Sequence, residues 1–362
     1  MLTGIPTFIT FLLILVVALV VISPGKLKPF VDRNSNPLAG SISEKIQVNI
    51  NGVEQGMIIE SKDVNNPVLL FLHGGPGMPE YFLTKRYPTG MENYFTVVWW
   101  DQRGAGLSYR SDILPETITY EQLISDTLEV TNYLRNRFGK EKIYLMGHSG
   151  GSFIGIQAAA RAPELYYAYI GVSQMAYQLK SEQLAYEYMH AKYKEKGDTK
   201  MVRKLEAAQP QMSVPLPEAY DSLRDGAMHS LGIGTTHKMK SVVTGVFLPS
   251  WLNREYTLGE KINLWRGKFF SKKILWNEML ATDLTKQVTE LQIPIYFFHG
   301  LFDYTDSYTL AKDYFEQIQA PVKGFYTFDQ SAHSPIFEEP EKVGEILLKD
   351  VLSGADSLAD SK

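Results

Sequence analysis

The 362-residue chain contains no cysteine. That absence excludes disulfides, thiolate metal sites, iron–sulfur clusters and a cysteine nucleophile. It does not fix the compartment, because a chain without thiols is indifferent to redox poise. A dominant charge of one sign is also lacking: 36 Lys and Arg stand against 40 Asp and Glu, a formal net charge of −4. Such a balance supplies no phosphate-binding surface, so no nucleic-acid partner is expected. With 44% hydrophobic, 12% aromatic and 21% charged residues, the composition is that of an ordinary globular protein rather than a disordered, collagen-like or multi-span membrane chain. At roughly 150 residues per domain, the length suggests about two domains, or one large domain with an insertion.

Charge is missing locally as well. Residues 1–25 carry no Lys, Arg, Asp or Glu, and from Phe8 to Ile22 thirteen of fifteen residues are Phe, Ile, Leu or Val. The uncharged stretch approaches the roughly 20 residues needed to span a bilayer. At about −0.4 kcal/mol each, those thirteen residues contribute on the order of −5 kcal/mol to insertion. The segment is therefore expected to be an uncleaved transmembrane anchor. A cleaved signal peptide is the rival, although no cation precedes the apolar run and no small-x-small site follows it. Lys26 and Lys28 flank the far side of the span, which by the positive-inside rule puts the main domain in the cytoplasm. Exported enzymes with a similar anchor argue the other way. The expected placement is single-pass in the cell membrane with an extracytoplasmic catalytic domain, and the opposite sidedness stays open.

Residues 26–44, with Pro29, Pro37 and Gly40, read as a linker. The stretch IQVNINGVEQGMIIE then alternates apolar and polar residues about Asn51-Gly52, the strongest short signal for a tight hairpin. Short apolar runs follow at Val68–Leu72, Val97–Trp100, Ile143–Met146, Tyr169–Val172, Ile293–Phe298 and Gly324–Phe328, with helical stretches between them at Tyr120–Phe138 and Ser152–Arg161. Buried strands alternating with helices predict an α/β fold with a mostly parallel sheet flanked by helices. The alternation stops between Met175 and Thr289, a region rich in Tyr, Met, Lys, Glu and Trp. It reads as a helical cap at 175–289, inserted between core segments 45–174 and 290–352, with a polar flexible tail at 353–362.

Gly147-His148-Ser149-Gly150-Gly151 follows the strand run ending at Met146 and precedes a helical stretch. This is the strand–turn–helix setting of the G-x-S-x-G nucleophile elbow, in which small residues on either side of the serine let strand and helix approach closely. A serine hydroxyl needs a base, and the partners follow in the order acid, then histidine. Asp303 lies in the loop after the Ile293–Phe298 run, and His333 lies beyond the Gly324–Phe328 run. Ser149 would attack a carbonyl, His333 would carry the proton and Asp303 would orient the imidazole. The bland alternatives are a helix N-cap for Ser149, a turn residue for Asp303 with nearby Asp306 as its rival, and an ordinary loop residue for His333. The backbone N–H groups of Gly75, in the His73-Gly74-Gly75-Pro76-Gly77 loop, and of Gly150 are the expected oxyanion donors. His73 is read as a brace for the glycine loop, and His148 and His299 as packing residues or as supports standing behind the catalytic groups. Asp101 and Arg103 are expected to form a buried ion pair. Tyr186, Met189, Trp251, Trp265 and Trp276 are read as helical core or as pocket lining.

These residues resemble the α/β-hydrolase superfamily, and within it the proline iminopeptidase-like group. The subgroup rests on HGGPG at 73–77 and on Trp100-Asp101-Gln102-Arg103-Gly104-Ala105-Gly106-Leu107-Ser108. The resemblance implies an α/β-hydrolase fold with a helical cap over the site. It also implies removal of an N-terminal residue from short peptides through an acyl-enzyme, without metal or organic cofactor. Two departures stand out. The residue after the nucleophile is Gly150 where the aminopeptidases commonly carry Trp, and no cap carboxylate aligns for the substrate amine among Glu182, Glu187, Glu255, Glu260 and Glu278. The expected function is a membrane-anchored serine hydrolase on small peptides or amides. The alternatives are an esterase or lactonase with the same machinery and a non-catalytic binding protein on the same fold.

Overall fold

The computed structural model describes residues 17–360. Asn51 and Gly52 take φ values of 47° and 79°, the pair of positive angles that suits the twist of a two-residue hairpin. They join β1 (Ile42–Ile50) to β2 (Val53–Ser61), with Ile50 opposite Val53. The apolar runs that follow form β3 (Val68–Leu72), β4 (Thr96–Trp100), β5 (Ile143–His148), β6 (Tyr166–Val172), β7 (Ile295–Gly300) and β8 (Lys323–Phe328). The run expected from Ile293 enters the sheet two residues later because Pro294 has no N–H to give to a ladder.

The eight strands form one sheet in the order β1-β2-β4-β3-β5-β6-β7-β8. β1, β2 and β4 pair antiparallel and every later pairing is parallel. Successive residues of the central strands feed opposite faces, as a period of two requires. Leu70, Leu72, Leu145 and Phe297 enter one apolar cluster. Leu69, Phe71, Met146 and Phe298 enter the other. At about 1.5–3 kcal/mol per buried side chain, both faces must be covered. Helices α1 (Tyr120–Phe138) and α2 (Gly150–Arg161) supply part of that cover through Ile124, Val130, Phe153 and Ile154.

Between Val172 and Ile295 the described chain contains helices and no strand, the longer ones being α3 (Gln178–Glu195), α4 (Thr199–Glu206), α5 (Glu218–Leu231) and α6 (Leu258–Ala281). They build an apolar cluster of their own around Tyr186, Met189, Leu205, Tyr220 and Met228, with Trp276 packed against it. Tyr186 and Met189 thus fill the helical core. Residues beyond Leu352 fold back on β8, where the Asp360 N–H donates to Phe325 O at 2.8 Å and Asp360 Oδ2 accepts from the Thr327 N–H at 3.1 Å.

Two expectations are corrected. The anchor expected at 1–25 falls largely on residues 1–16, which lie outside the described residues. Among the described residues, no helix is long and apolar enough to cross a membrane, so the expected single-pass, extracytoplasmic placement is overturned and the transmembrane helix finds no support. The described remainder ends its helical turn at Val21, and residues 23–25 belong to the folded body. Pro24 bridges to Thr257, the Gly25 N–H donates to Arg254 O at 3.1 Å, and buried Lys261 donates to Ser23 Oγ at 2.8 Å. The second correction concerns Arg103, which pairs with Asp126 of α1 at 2.6 Å and not with Asp101. Asp101 instead accepts the Leu107 N–H at 2.7 Å. The guanidinium crosses to the helix because only there can a carboxylate also collect donors from Asn51, Gln55 and Gln122.

Candidate active site

β5 ends at His148 and α2 begins at Gly150, so Ser149 makes the turn alone, with φ 52° and ψ −123°. A non-glycine residue held there stores about 1–3 kcal/mol of strain. The turn closes this tightly because its flanks have no side chains. A Cβ on Gly151 would lie 2.0 Å from Leu72 O, and one on Gly147 2.5 Å from Gly151 O. The first N–H groups of α2 have no intrahelical acceptor, so Gly150 presents a free donor beside Ser149. Gly75 lies next to it, its nitrogen 3.3 Å from where a Cβ on Gly150 would sit. Any side chain at 150 would press on the Gly75 loop. Among the described residues, neither the Gly75 nor the Gly150 N–H donates to another group.

Asp303 and His333 come together from the loops after β7 and β8. Asp303 Oδ1 accepts the N–H groups of Thr305 at 2.8 Å and Asp306 at 3.0 Å, while Oδ2 faces His333 Nδ1 at 3.0 Å and His299 Nε2 at 3.3 Å. Burial works to raise the Asp303 pKa, but His333 and His299 hold it well below the usual carboxylate range. The acceptor at Nδ1 assigns the His333 proton to that nitrogen and leaves Nε2 free to accept. Burial pushes the His333 pKa down against the pull of Asp303, and His148 pushes the same way as burial. No hydrogen bond joins Ser149 to His333 among the described residues. The Ser149 hydroxyl faces the Asp306 carboxyl.

Of the two roles expected for His148, the structure favours support of the catalytic groups. Its Nδ1 lies 2.8 Å from Glu80 Oε1 and its Nε2 lies 2.7 Å from the His333 carbonyl. Both partners are acceptors, so both ring nitrogens carry protons and the ring is a cation. Burial opposes that charge, yet Glu80 and the His333 carbonyl hold the pKa up at about 9. His73 is the opposite case, with burial lowering its pKa to about 4. Its Nδ1 donates to Gly74 O at 2.8 Å and its Nε2 accepts the Gln102 N–H at 3.1 Å, so it braces the glycine loop as expected.

Ser149, His333 and Gly75 open onto one cavity of about 190 Å³, whose walls also carry Glu80, Arg224, Asp225 and Lys268. None of the five glutamates considered for amine binding is among its lining residues. Glu182 is buried behind Arg224 at 2.6 Å, Glu260 caps α6 and pairs with Lys45 at 2.7 Å, and Glu255 stands 4.0 Å from Lys85. Sequence reasoning missed Glu80 and Asp225. Glu80, three residues beyond HGGPG, was the more accessible of the two, since a loop that carries an oxyanion donor also carries its neighbours into the site.

Comparison with known proteins decides the family. The α/β-hydrolase-fold family model matches residues 67–340. The chain belongs to the α/β-hydrolase family. The hydrolase is 32% identical over 306 residues to the probable aminopeptidase YbaC of Bacillus subtilis, covering 84% of this chain and 95% of that one. It is 26% identical over 290 residues to the proline iminopeptidase of Saccharolobus solfataricus, covering 78% and 84%. Its fold matches that of the proline iminopeptidase of Mycobacterium smegmatis with a TM-score of 0.62 at 16% identity, covering 86% of this chain and all of the other. A proline iminopeptidase-related protein from Thermus thermophilus matches with a TM-score of 0.59 at 21% identity, covering 87% and 99%. The protein is thus a hydrolase of the proline iminopeptidase-like type.

Proposed function

We propose that this hydrolase is a serine aminopeptidase acting on short peptides or amino-acid amides through an acyl-enzyme. Ser149 is the nucleophile, His333 the general base and acid, Asp303 the group that orients His333, and the N–H groups of Gly75 and Gly150 the oxyanion donors. The observation that carries the reading is the Asp303–His333 contact at 3.0 Å, opening onto the same cavity as a serine held at positive φ.

As Ser149 Oγ bonds to the substrate carbonyl carbon, its proton passes to His333 Nε2. The tetrahedral oxyanion is received by the two amides, each worth about 3 kcal/mol in the transition state. The carbon–nitrogen bond then breaks, and His333 returns the proton to the leaving amine. Water repeats the sequence in reverse to release the acid and free Ser149. The helical segment between β6 and β7 acts as a cap, since Arg224, Asp225 and Lys268 reach the cavity from it. The names of the relatives favour an amine-bearing substrate over a neutral ester or lactone.

A fluorophosphonate probe should label the wild type, and Ser149→Ala should abolish labelling. His333→Ala should lower turnover by several orders of magnitude. Labelling that persists in Ser149→Ala rejects the nucleophile. A substrate screen tests the class: a strict need for a free α-amine supports the aminopeptidase, whereas preference for acyl esters or lactones rejects it.

A further inference from the structure

Arg224 of α5 stands in the wall of the cavity onto which Ser149 and His333 open. It is 9% exposed, and two of its nitrogens are engaged: Nε donates to Glu182 Oε2 at 2.6 Å and Nη1 to Asp225 Oδ1 at 2.8 Å. Nη2 is buried and has no acceptor. Lys268 of α6 lines the same cavity. Among the described residues its ammonium makes no hydrogen bond and no ion pair, and it rests over the Trp265 ring with Nζ 5.1 Å from the centroid. Two cations of one wall thus keep charged donors that the protein itself leaves unused.

The carboxylates of the lining are already committed. Asp225 answers Arg224, and Glu80 answers the His148 cation at 2.8 Å, while Glu182 lies behind Arg224 and outside the lining. Two lining carboxylates therefore face three lining cations, Arg224, Lys268 and His148, a balance that does not exclude an anion. His229, also in the wall, is neutral: its Nδ1 donates to Asp225 O at 2.6 Å, its Nε2 accepts the Thr235 N–H at 3.1 Å, and burial lowers its pKa. A buried guanidinium nitrogen without an acceptor is expensive. A carboxylate brings two acceptor oxygens and the matching charge, enough for both unused donors. A neutral amide or ester oxygen would answer neither charge.

We infer that Arg224 Nη2 and Lys268 Nζ form a seat for a carboxylate of the substrate, the C-terminal carboxylate of a dipeptide. The inference rests on the aminopeptidase reading and narrows it from short peptides in general to free dipeptides. Size points the same way, since a cavity of about 190 Å³ is smaller than the roughly 300–1,000 Å³ of ordinary small-molecule sites, and two extended residues span only about 7 Å. The peptide bond of a dipeptide lies between its two ends. A carboxylate held by the helical segment, across from Ser149 on the sheet, therefore sets which carbonyl meets the nucleophile. Burial lowers the Lys268 pKa against the pull of Asp225, and a bound carboxylate adds to that pull.

The test measures kcat/KM for prolyl-glycine and prolyl-glycinamide, which differ only in the terminal carboxylate, in the wild type, in Lys268→Gln and in Arg224→Lys. The ratio of the two substrates, taken on one preparation, does not depend on the folded fraction. The wild type should favour prolyl-glycine, and each variant should reduce that preference about 10-fold. Arg224→Lys keeps a cation for Glu182 but has no second nitrogen for the substrate, and Lys268→Gln alone suffices if it does not fold. An acidic side chain offers the same group, so glutamyl-glycinamide is compared with glutaminyl-glycinamide. A carboxylate preference confined to that pair overturns the dipeptide. If the wild type cleaves both prolyl substrates without preference, or if both variants keep the preference, the seat is wrong and the aminopeptidase reading survives. If the wild type cleaves none of the four and hydrolyses acyl esters instead, the aminopeptidase reading falls and the seat falls with it.

Discussion

The ring of His148 donates from Nε2 to the backbone carbonyl of His333 at 2.7 Å. Ser173 Oγ donates to the same carbonyl at 2.9 Å. The residue immediately before the proposed nucleophile therefore pins the proposed base, and it does so as a cation whose charge is held in place by Glu80. Because that cation disfavours a proton on His333, replacing it by a neutral side chain should raise the His333 pKa. In His148→Gln the acid limb of the kcat/KM profile is expected to move to higher pH, in addition to a fall in the plateau. A lower plateau with an unmoved limb would leave His148 a purely mechanical support.

Gly151 and Gly226 make a matched pair. At Gly151 a Cβ meets backbone at 2.0 Å, whereas at Gly226, exposed within α5, it meets nothing within 4 Å. Gly151→Ala should cost about 3 kcal/mol or prevent folding. Gly226→Ala should stabilise by about 0.5–1 kcal/mol. Denaturant unfolding of the two variants reads both signs.

Asp126 is fully buried, ion-paired with Arg103 and hydrogen-bonded by Gln55 at 2.8 Å. Removing it in Asp126→Ala strands the guanidinium and should cost about 3–5 kcal/mol. Asp101 behaves differently, since burial raises its pKa to about 8. With the folded value above the unfolded one, its contribution is complete below about pH 4 and is lost as pH rises through about 8. Asp101→Asn should be mild at pH 7 and should flatten the decline of thermal stability across that window. An unchanged slope would show that other groups set it.

Glu338 links the His333 loop to the helical segment, accepting the Ala332 N–H at 2.9 Å and the His237 N–H at 2.7 Å, one on each oxygen. A glutamine offers one acceptor oxygen where the carboxylate offers two. Glu338→Gln should therefore free one of these amides, and hydrogen exchange at Ala332 or His237 should accelerate while the central strands stay protected.

What could be read in the sequence was what local chemistry controls. The Asn51-Gly52 turn, the paired-face strands and the glycines around Ser149 each impose a geometry within a few residues. Their positions in the structure follow those signals closely. The loops that carry Asp303 and His333 were legible because each begins where an apolar run ends. Partnerships across the chain were not. Arg103 is two residues from Asp101 in sequence, yet finds Asp126 in a helix whose docking no local pattern reveals. Asp306 could be seen only as a rival to Asp303, since its unpartnered oxygen exists only once the loop is folded against Ser149. The apolar N-terminal run read as membrane-spanning on hydropathy alone, and hydropathy contains no record of the bonds that Ser23, Pro24 and Gly25 make with the folded body.

Those bonds join the head of the chain to one rod. Ser23–Gly25 hold Arg254, Thr257 and Lys261 at the start of α6, and the same helix brings Lys268 to the cavity wall about 10 Å farther on, at 1.5 Å per residue. Residues 23–25 and the cavity wall thus share one continuous helix, so the start of the described chain and the substrate space are set by the placement of the same element.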